Sequence, residues 1–172
     1  MKKLVTVLAA GLSFYTAGAL AADGTITING NIVANTCTIN STGGASFTVT
    51  LPTVGVSSLA TAGQTAGSTP FSINLSNCPA TLKNAVTHFE IGPTVDAATG
   101  NLKNAGAATN VEVQLLNNTL QAINLANNTN SQIVPISSGT ATLNYYAQYI
   151  ATGGAAGAGA VNTSVQYSMT YQ

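Results

Sequence analysis

Side chains that could carry catalytic chemistry are few in this chain and lie far apart. The one histidine, His88, has no visible catalytic partner, whereas a general base works only when a neighbouring group orients it. The carboxylates are scattered and form neither a calcium loop nor a glycosidase pair; they are Asp23, Glu90, Asp96 and Glu112. We therefore predict that the protein is not an enzyme and has no metal site.

The glycine-rich stretch "ATGGAAGAGA", residues 151–160, is a second candidate for ligand chemistry. A phosphate-binding loop would be followed by Lys-Ser/Thr and a helix, and neither follows here. We therefore expect no nucleotide and no other cofactor. The stretch is low in complexity, and a flexible loop before the last strand is its simplest interpretation.

The N-terminus has the pattern of an export signal. Lys2 and Lys3 precede the apolar run "LVTVLAAGLSFYTAGAL", and a small-x-small site, Ala19-Leu20-Ala21, ends it. This arrangement is typical of a Sec signal peptide at residues 1–21, cleaved after Ala21. A membrane anchor is the alternative, but the apolar run is short and is broken by Gly and Ser. The remaining chain suits one domain with a proper core.

The two cysteines, Cys37 and Cys78, are 41 positions apart. In an exported protein an even pair predicts a disulfide, which would contribute roughly 4 kcal/mol by loop closure. A metal or redox pair would need closer spacing or histidine partners, and the chain has neither. The predicted disulfide implies an oxidising compartment such as a bacterial periplasm.

Charge is unusually sparse. Only 5% of the residues are charged, against about 25% in an average globular protein. After loss of residues 1–21 two lysines, Lys83 and Lys103, face four acids, which gives a net charge of −2, and there is no arginine. Without a basic patch, neither nucleic acid nor an anionic membrane is an expected partner. A polar but uncharged surface would let subunits stack without strong repulsion.

Short alternating segments separated by turn residues predict an all-β fold. Clusters such as "STGG", "NCPA" and "NNTN" supply the turns. Many short strands at this spacing indicate an antiparallel sandwich, and the immunoglobulin-like kind fits the length. A helical turn near 57–63 is also expected. The predicted strands are residues 25–33, 37–39, 46–51, 71–76, 86–91, 110–116, 132–136, 142–150 and a final strand from 159.

The two ends of the chain each carry a strand that lacks a partner. The last one alternates through Gly159, Val161, Thr163, Val165, Tyr167, Met169 and Tyr171, and only Gln172 follows it. Near the start, Ile26, Ile28, Gly30 and Ile32 alternate ahead of the predicted disulfide. A free apolar strand is a liability that proteins avoid unless they use it. The first strand has no sheet to join, and the last strand has no strand along its outer edge. Pairing of two such strands would satisfy both.

The sequence resembles the pilin subunits of chaperone–usher fimbriae, close to the type 1 major subunit. The resemblance runs over the whole chain and rests on the arm "ITINGNIVANTC", the early cysteine pair, "ATNVEVQLLNN" (108–118) and "YAQYIATGGAAGAGA" (146–160). An aromatic residue, Tyr171, is penultimate, and Gly159 is fourteenth from the C-terminus. Chaperone–pilin complexes are a known case in which one chain adds a strand to another.

The resemblance implies an incomplete immunoglobulin-like β-sandwich that lacks its last strand. It implies three segments: a signal peptide at 1–21, a donor-strand arm at 22–36 and a pilin body at 37–172. A periplasmic chaperone would lend a strand to the groove, and at the outer-membrane usher the arm of another copy would replace it. The implied donor residues are Ile26, Ile28, Gly30 and Ile32; the implied acceptor residues are Gly159, Val161, Val165, Tyr167, Met169, Tyr171 and Gln172, whose carboxylate basic chaperone residues would grip.

The product would be a fimbria on the bacterial surface that supports adhesion, with possible contact to a host surface. Other interpretations stay open. Residues 23–35 could fold back as the first strand of a self-complete sandwich. The chain could be a minor or adaptor subunit instead of a rod subunit. It could also be a secreted monomer that binds glycans, for which Tyr145, Tyr146 and Tyr149 would be the aromatic candidates.

Overall fold

The computed structural model describes residues 26–28, 30, 36–41 and 43–172. The chain divides into two units, Met1–Ile32 and Val33–Gln172, and the fold below is that of the second. The predicted signal peptide and most of the predicted strand at 25–33 lie outside the described residues. In the part that is described, no helix is long and apolar enough to cross a membrane.

Eight strands form two antiparallel sheets in the described body. One sheet has the order β1-β2-β7-β5-β4 and the other has the order β6-β3-β8. The all-β sandwich expected from the sequence is therefore confirmed. The strands are β1 Thr38–Ile39, β2 Thr65–Ser76, β3 Asn84–Phe89, β4 Leu102–Lys103, β5 Val111–Leu116, β6 Ile133–Pro135, β7 Ala141–Ala151 and β8 Tyr167–Tyr171. A short 3-10 helix at Val56–Leu59 overlaps the start of the helical turn predicted near 57–63.

The core lies between the sheets because each long strand alternates. In β7, Leu143 and Tyr145 are fully buried while Asn144 between them is exposed. The Tyr145 ring stacks on Phe71 of β2 at 5.5 Å and meets Phe89 of β3 edge-on at 5.6 Å. Aromatic contacts therefore join the two sheets at the centre of the sandwich.

The Cys37–Cys78 disulfide is present, as predicted. It joins the residue just before β1 to the turn that follows β2, and both cysteines are buried. β1 and β2 are also neighbours in the sheet, with Thr38 opposite Ser76. The disulfide therefore holds β1 against β2, to which β1 is otherwise joined by only two paired residues.

The predicted and the observed strands differ in several places. Residues 46–51 are extended but belong to no strand, and β8 begins only at Tyr167, although alternating burial continues back to Val161. β4 was not predicted, because a two-residue strand has no measurable period. In each case strand assignment depends on hydrogen-bonded neighbours, which a period-two pattern does not reveal.

The glycine-rich stretch at 151–160 is packed, so the expected flexible loop is wrong. Gly157 N–H donates to the Thr109 carbonyl at 2.9 Å, and Ala156 N–H donates to the Leu59 carbonyl at 2.9 Å. A Cβ at Gly157 would overlap the Thr109 hydroxyl, and one at Gly159 would overlap the Ala108 backbone. Glycine is needed here for close backbone approach rather than for flexibility.

Candidate functional site

A groove runs along the segment that leads into the last strand, β8. Its volume is about 810 Å³, and its two walls are residues 45–51 and residues 161–167. Core side chains, including Ile73, Phe89 and Leu115, form the floor. None of the lining residues is charged, so the groove suits an apolar, uncharged occupant.

The first wall is an extended segment with free backbone. Phe47, Val49 and Leu51 are half-buried and the residues between them are exposed, as expected of a strand with one face on a core. Nevertheless, residues 45–51 make no backbone–backbone hydrogen bond with any described residue. The segment therefore has the side-chain pattern of a strand and lacks the ladder.

The second wall is an open sheet edge. In the β3–β8 pair the hydrogen bonds fall on even-numbered residues: Gln172 and Asn84 bond reciprocally, and the Gln166 carbonyl accepts from Glu90 N–H at 2.9 Å. The backbone groups of the odd-numbered residues must therefore point away from β3. Those of Val161 and Val165 face the groove side and have no backbone partner in the described chain.

Two polar contacts hold the second wall, and one of them closes an end of the groove. At one end the Tyr167 hydroxyl donates to the Ala45 carbonyl at 2.7 Å. Burial raises the pKa of Tyr167 above its ordinary value, so the hydroxyl stays a donor to a higher pH than a free tyrosine would. On the edge turned away from the groove, the Asn104 side-chain oxygen accepts the Asn162 N–H at 2.9 Å and so holds the second wall in place.

One half-buried position of the second wall carries a hydroxyl without a partner. Thr163 lies between Val161 and Val165, and its Oγ1 is buried with no hydrogen-bond partner among the described residues. A buried hydroxyl without a partner is unusual in a folded protein because its desolvation is not offset.

The predicted acceptor residues separate into two groups. Val161, Val165 and Tyr167 line the groove. The others do not: Gly159 packs against the Ala107–Ala108 backbone, Met169 and Tyr171 pack on the core beyond the Tyr167 contact, and the Gln172 carbonyl oxygen accepts Lys83 N–H at 2.7 Å and Asn84 N–H at 2.9 Å.

The described part of the predicted donor segment is exposed. Ile26 and Ile28 are 90% and 89% exposed, and Gly30 is exposed as well. Ile32 lies outside the described residues. Two isoleucines at this level of exposure, two positions apart, form an apolar strip that is unusual for a soluble protein surface.

Sequence reasoning missed the position of the first wall and the contacts made by Tyr167 and Asn104. Alternation of Phe47, Val49 and Leu51 was visible and predicted a strand, but nothing showed that it would lie across a gap from residues 161–167. Asn104 carried no signal at all, because one asparagine in an asparagine-rich chain is not distinctive. The alternative in which these tyrosines form a glycan-binding surface is weakened, because Tyr145 is fully buried and Tyr146 and Tyr149 are half-buried.

The body is an immunoglobulin-like sandwich with an open groove beside its final strand. Solved structures share this fold. A chain from the structure of a chaperone–usher pilus has a TM-score of 0.65 at 21% identity, covering 88% of this chain and 96% of its own. The P pilus rod subunit PapA has a TM-score of 0.64 at 18% identity, covering 80% and 100%.

Sequence comparison identifies the family. The family model described as FimA, type-1 fimbrial protein, A, matches residues 51–172. Major fimbrial subunit SMF-1 of Stenotrophomonas maltophilia is 52% identical over 88% of this chain and 94% of its own. The F17 fimbrial protein of Escherichia coli is 40% identical over the full length of both, and the type-1 fimbrial protein, A chain, of E. coli K12 is 34% identical over 100% and 99%.

The chain belongs to the type-1 fimbrial protein family. It is a structural subunit of a bacterial fimbria, exported and assembled on the cell surface. The family is one of structural subunits and is not known as an enzyme family.

Proposed function

We propose that the arm of one copy, residues 22–36, completes the groove of the next copy, so that copies join head to tail into a filament. The donor residues are Ile26, Ile28, Gly30 and Ile32, and the acceptor is the open edge at 161–167 with the facing wall at 45–51. The observation that carries the proposal is the coincidence of an uncharged groove with unpaired backbone on both walls and an exposed isoleucine strip. Strand addition to a sheet edge uses these two features.

The interaction energies favour a long-lived contact. Three isoleucines moved from water into the groove contribute roughly 1.5–3 kcal/mol each, and each added ladder hydrogen bond contributes about 1 kcal/mol. The gross gain is on the order of 10 kcal/mol before the cost of association. Because the donor also completes the sandwich, release requires partial unfolding, so we expect very slow dissociation.

A periplasmic chaperone and an outer-membrane usher are the further proposed partners. An open apolar groove exposes the subunit to aggregation before it meets another copy, and a lent strand removes that hazard. At the C-terminus, one Gln172 oxygen is already engaged by the backbone of Lys83 and Asn84. Gln172 is exposed, and we propose that basic chaperone residues bind its carboxylate from the solvent side.

The same proposal gives each of three segments of the chain a role. Residues 1–21 direct export and are removed, residues 22–36 are the donor arm, and residues 37–172 are the acceptor body. No catalytic activity is proposed. The major-subunit role is favoured over an adaptor or minor role because a major fimbrial subunit is 52% identical over most of both chains.

The proposal can be tested with a rearranged chain. In this chain residues 22–35 are deleted from the N-terminus, and residues 23–35 are appended after Gln172 through a short flexible linker. We expect a stable monomer that cannot polymerise, because each body is filled by its own donor. The measurements are molecular mass by light scattering, thermal unfolding, and SDS-resistant ladders without boiling.

The matched control carries Ile28→Asp in the appended segment. A buried, unpaired carboxylate should prevent insertion and return the body to its incomplete state, with a much lower melting temperature. The proposal fails if the unaltered mature chain is already a stable monomer and the rearranged chain gains nothing over it. The sandwich would then complete itself.

A further inference from the structure

We infer that Thr94 and Asn104 are positioning residues for the entry of the donor arm, although neither of them lines the groove. Their side chains hold the second wall, residues 161–167, from the edge that is turned away from the groove. The free backbone groups of the wall are thereby aimed at the incoming strand. This inference rests on the proposed donor-arm function and adds to it two residues that the donor does not touch.

The second wall lacks a neighbouring strand along much of its supported edge. β3 ends at Phe89, and the last backbone bond from this part of the described chain to the wall joins Glu90 N–H to the Gln166 carbonyl. The chain then turns at Gly92, whose carbonyl accepts Val95 N–H at 3.1 Å. The part of the wall that precedes Gln166 therefore has no strand of its own sheet beside it.

Thr94 supplies a side-chain bond where that strand is missing. Its hydroxyl donates to the Ser164 carbonyl at 2.6 Å, and this carbonyl has no backbone partner in the described chain. The Thr94 carbonyl in turn accepts the N–H of Lys103, in β4, at 2.8 Å. Thr94 therefore connects the middle of the wall to the five-stranded sheet.

Asn104 directly follows β4 and holds the start of the wall. Its side-chain oxygen accepts N–H groups from Asn162 at 2.9 Å and from Gly106 at 2.8 Å. Its side-chain amide donates to the Ala108 carbonyl at 2.8 Å, and Ala108 N–H donates to the Ala160 carbonyl, just before the wall, at 3.1 Å. One half-buried asparagine therefore joins the loop after β4 to the wall.

Both side chains bond to even-numbered residues of the wall, Asn162 and Ser164. Successive residues of an extended segment point their backbone groups to opposite edges, so fixing the even residues aims Val161, Thr163 and Val165 into the groove. An edge that is ordered before the donor arrives loses less conformational entropy when it pairs. Thr94 and Asn104 should therefore speed the pairing step.

The test uses full-length chains expressed with their own assembly machinery, in cells that make equal amounts of unaltered and variant subunits. Thr94→Val keeps the shape of the side chain and removes the hydroxyl that bonds to Ser164. The arm of this variant is unaltered, so a variant copy still enters the groove of another copy but receives the next arm slowly. The measurements are fimbria length by electron microscopy at a fixed time after induction and the share of variant in purified fimbriae by intact-subunit mass spectrometry.

Loss of one hydrogen bond from the wall should slow acceptance of the arm about fivefold. With half of the copies slowed in this way, growth and therefore fimbria length should fall about threefold, while the variant keeps the share of subunits that it has in the periplasm. Asn104→Ala should shorten the fimbriae further because it removes more contacts. Thr94→Ser keeps the hydroxyl and should restore full length.

The matched control for Asn104→Ala is Asn118→Ala, because Asn118 is exposed and its side chain makes no hydrogen bond with a described residue. It should leave fimbria length unchanged. A purely structural role of Thr94 would deplete the variant from the periplasm and from fimbriae. Those fimbriae would be no shorter than in cells that make the unaltered chain alone at the same level, and this result would overturn the positioning role.

The other failures are distinguishable. If Thr94→Val is fully incorporated and length is normal, the positioning role is overturned and the donor-arm function stands. Ile28→Asp tests that function separately, because it alters the arm and leaves both side-chain contacts with the wall intact. This variant should be largely absent from fimbriae. If Ile28→Asp copies are incorporated as well as unaltered ones, the donor-arm function itself is wrong.

Discussion

The Tyr167 hydroxyl donates a hydrogen bond to the Ala45 carbonyl at 2.7 Å, across 122 positions of sequence. Tyr167 begins β8 and Ala45 begins the extended wall, so the contact joins the two sides of the groove at one end. It is a side-chain bond in a place where neighbouring strands would normally make backbone bonds. The groove therefore has a fixed end, while the rest of its two walls remains free to receive a strand.

Removing this contact should weaken the body modestly. Tyr167→Phe in the rearranged chain loses one hydrogen bond and should lower the free energy of unfolding by about 1 kcal/mol, measured by urea titration. Tyr146→Phe is the matched control because the Tyr146 hydroxyl makes no hydrogen bond with a described residue, and it should change little. Equal losses in the two variants would show that the Tyr167–Ala45 bond contributes nothing.

Asn128 acts as a substitute strand partner at the end of β3. Its side-chain oxygen accepts Phe89 N–H at 2.8 Å, and its amide group donates to the Phe89 carbonyl at 2.9 Å. Because Asn128 has a φ of 55°, Asn128→Gly removes both bonds without adding backbone strain. We expect a loss of about 1–3 kcal/mol in the free energy of unfolding.

The control for that variant is Asn77→Gly. Asn77 also has a positive φ, 52°, and is exposed, and its side chain makes no hydrogen bond to a described residue. It should change stability by less than about 0.5 kcal/mol. If both glycine variants behave alike in urea, the Asn128 amide does not stabilise β3.

The packed glycine stretch predicts a steric effect. A Cβ at Gly159 would lie 2.6 Å from the Ala107 carbonyl carbon, so Gly159→Ala should force the two segments apart and cost about 1–3 kcal/mol. Gly92→Ala is the control, since nothing lies within 4 Å of its Cβ position. The melting temperatures of the two variants give the comparison. A normal melting temperature for Gly159→Ala would mean that the stretch is free to move.

Stability should fall at alkaline pH. Tyr145 is fully buried, and burial raises its pKa above the ordinary value of 10.0, while Thr87 and Gln132 nearby offset part of the rise. Above about pH 10 the unfolded chain releases a proton that the folded chain keeps, so the free energy of unfolding decreases as pH rises. Urea titrations at pH 8 and pH 11 should show a smaller decrease for Tyr145→Phe. An identical decrease would show that Tyr145 does not contribute.

Local sequence was sufficient for much of this protein. Alternation such as Leu143-Asn144-Tyr145 reveals the buried face of a strand, because successive side chains point to opposite sides. Export and an even cysteine pair predicted the Cys37–Cys78 disulfide. The motifs at 108–118 and 146–160 predicted the family. Each of these signals resides in neighbouring residues or in a single pair, and each is confirmed by the structure or by the comparisons.

Only the tertiary structure decided where the strands meet. Residues 46–51 and 161–165 both alternate as strands do, yet neither is assigned as a strand, because hydrogen-bond partners depend on distant segments. The same holds for the contacts that fix the second wall: the Tyr167 hydroxyl bonds to the Ala45 carbonyl, and the Asn104 side chain bonds to Asn162 N–H, across long stretches of chain. A period of two determines which face of a segment is apolar, but it does not determine which edge of that segment stays open. The open edge was decided by folding.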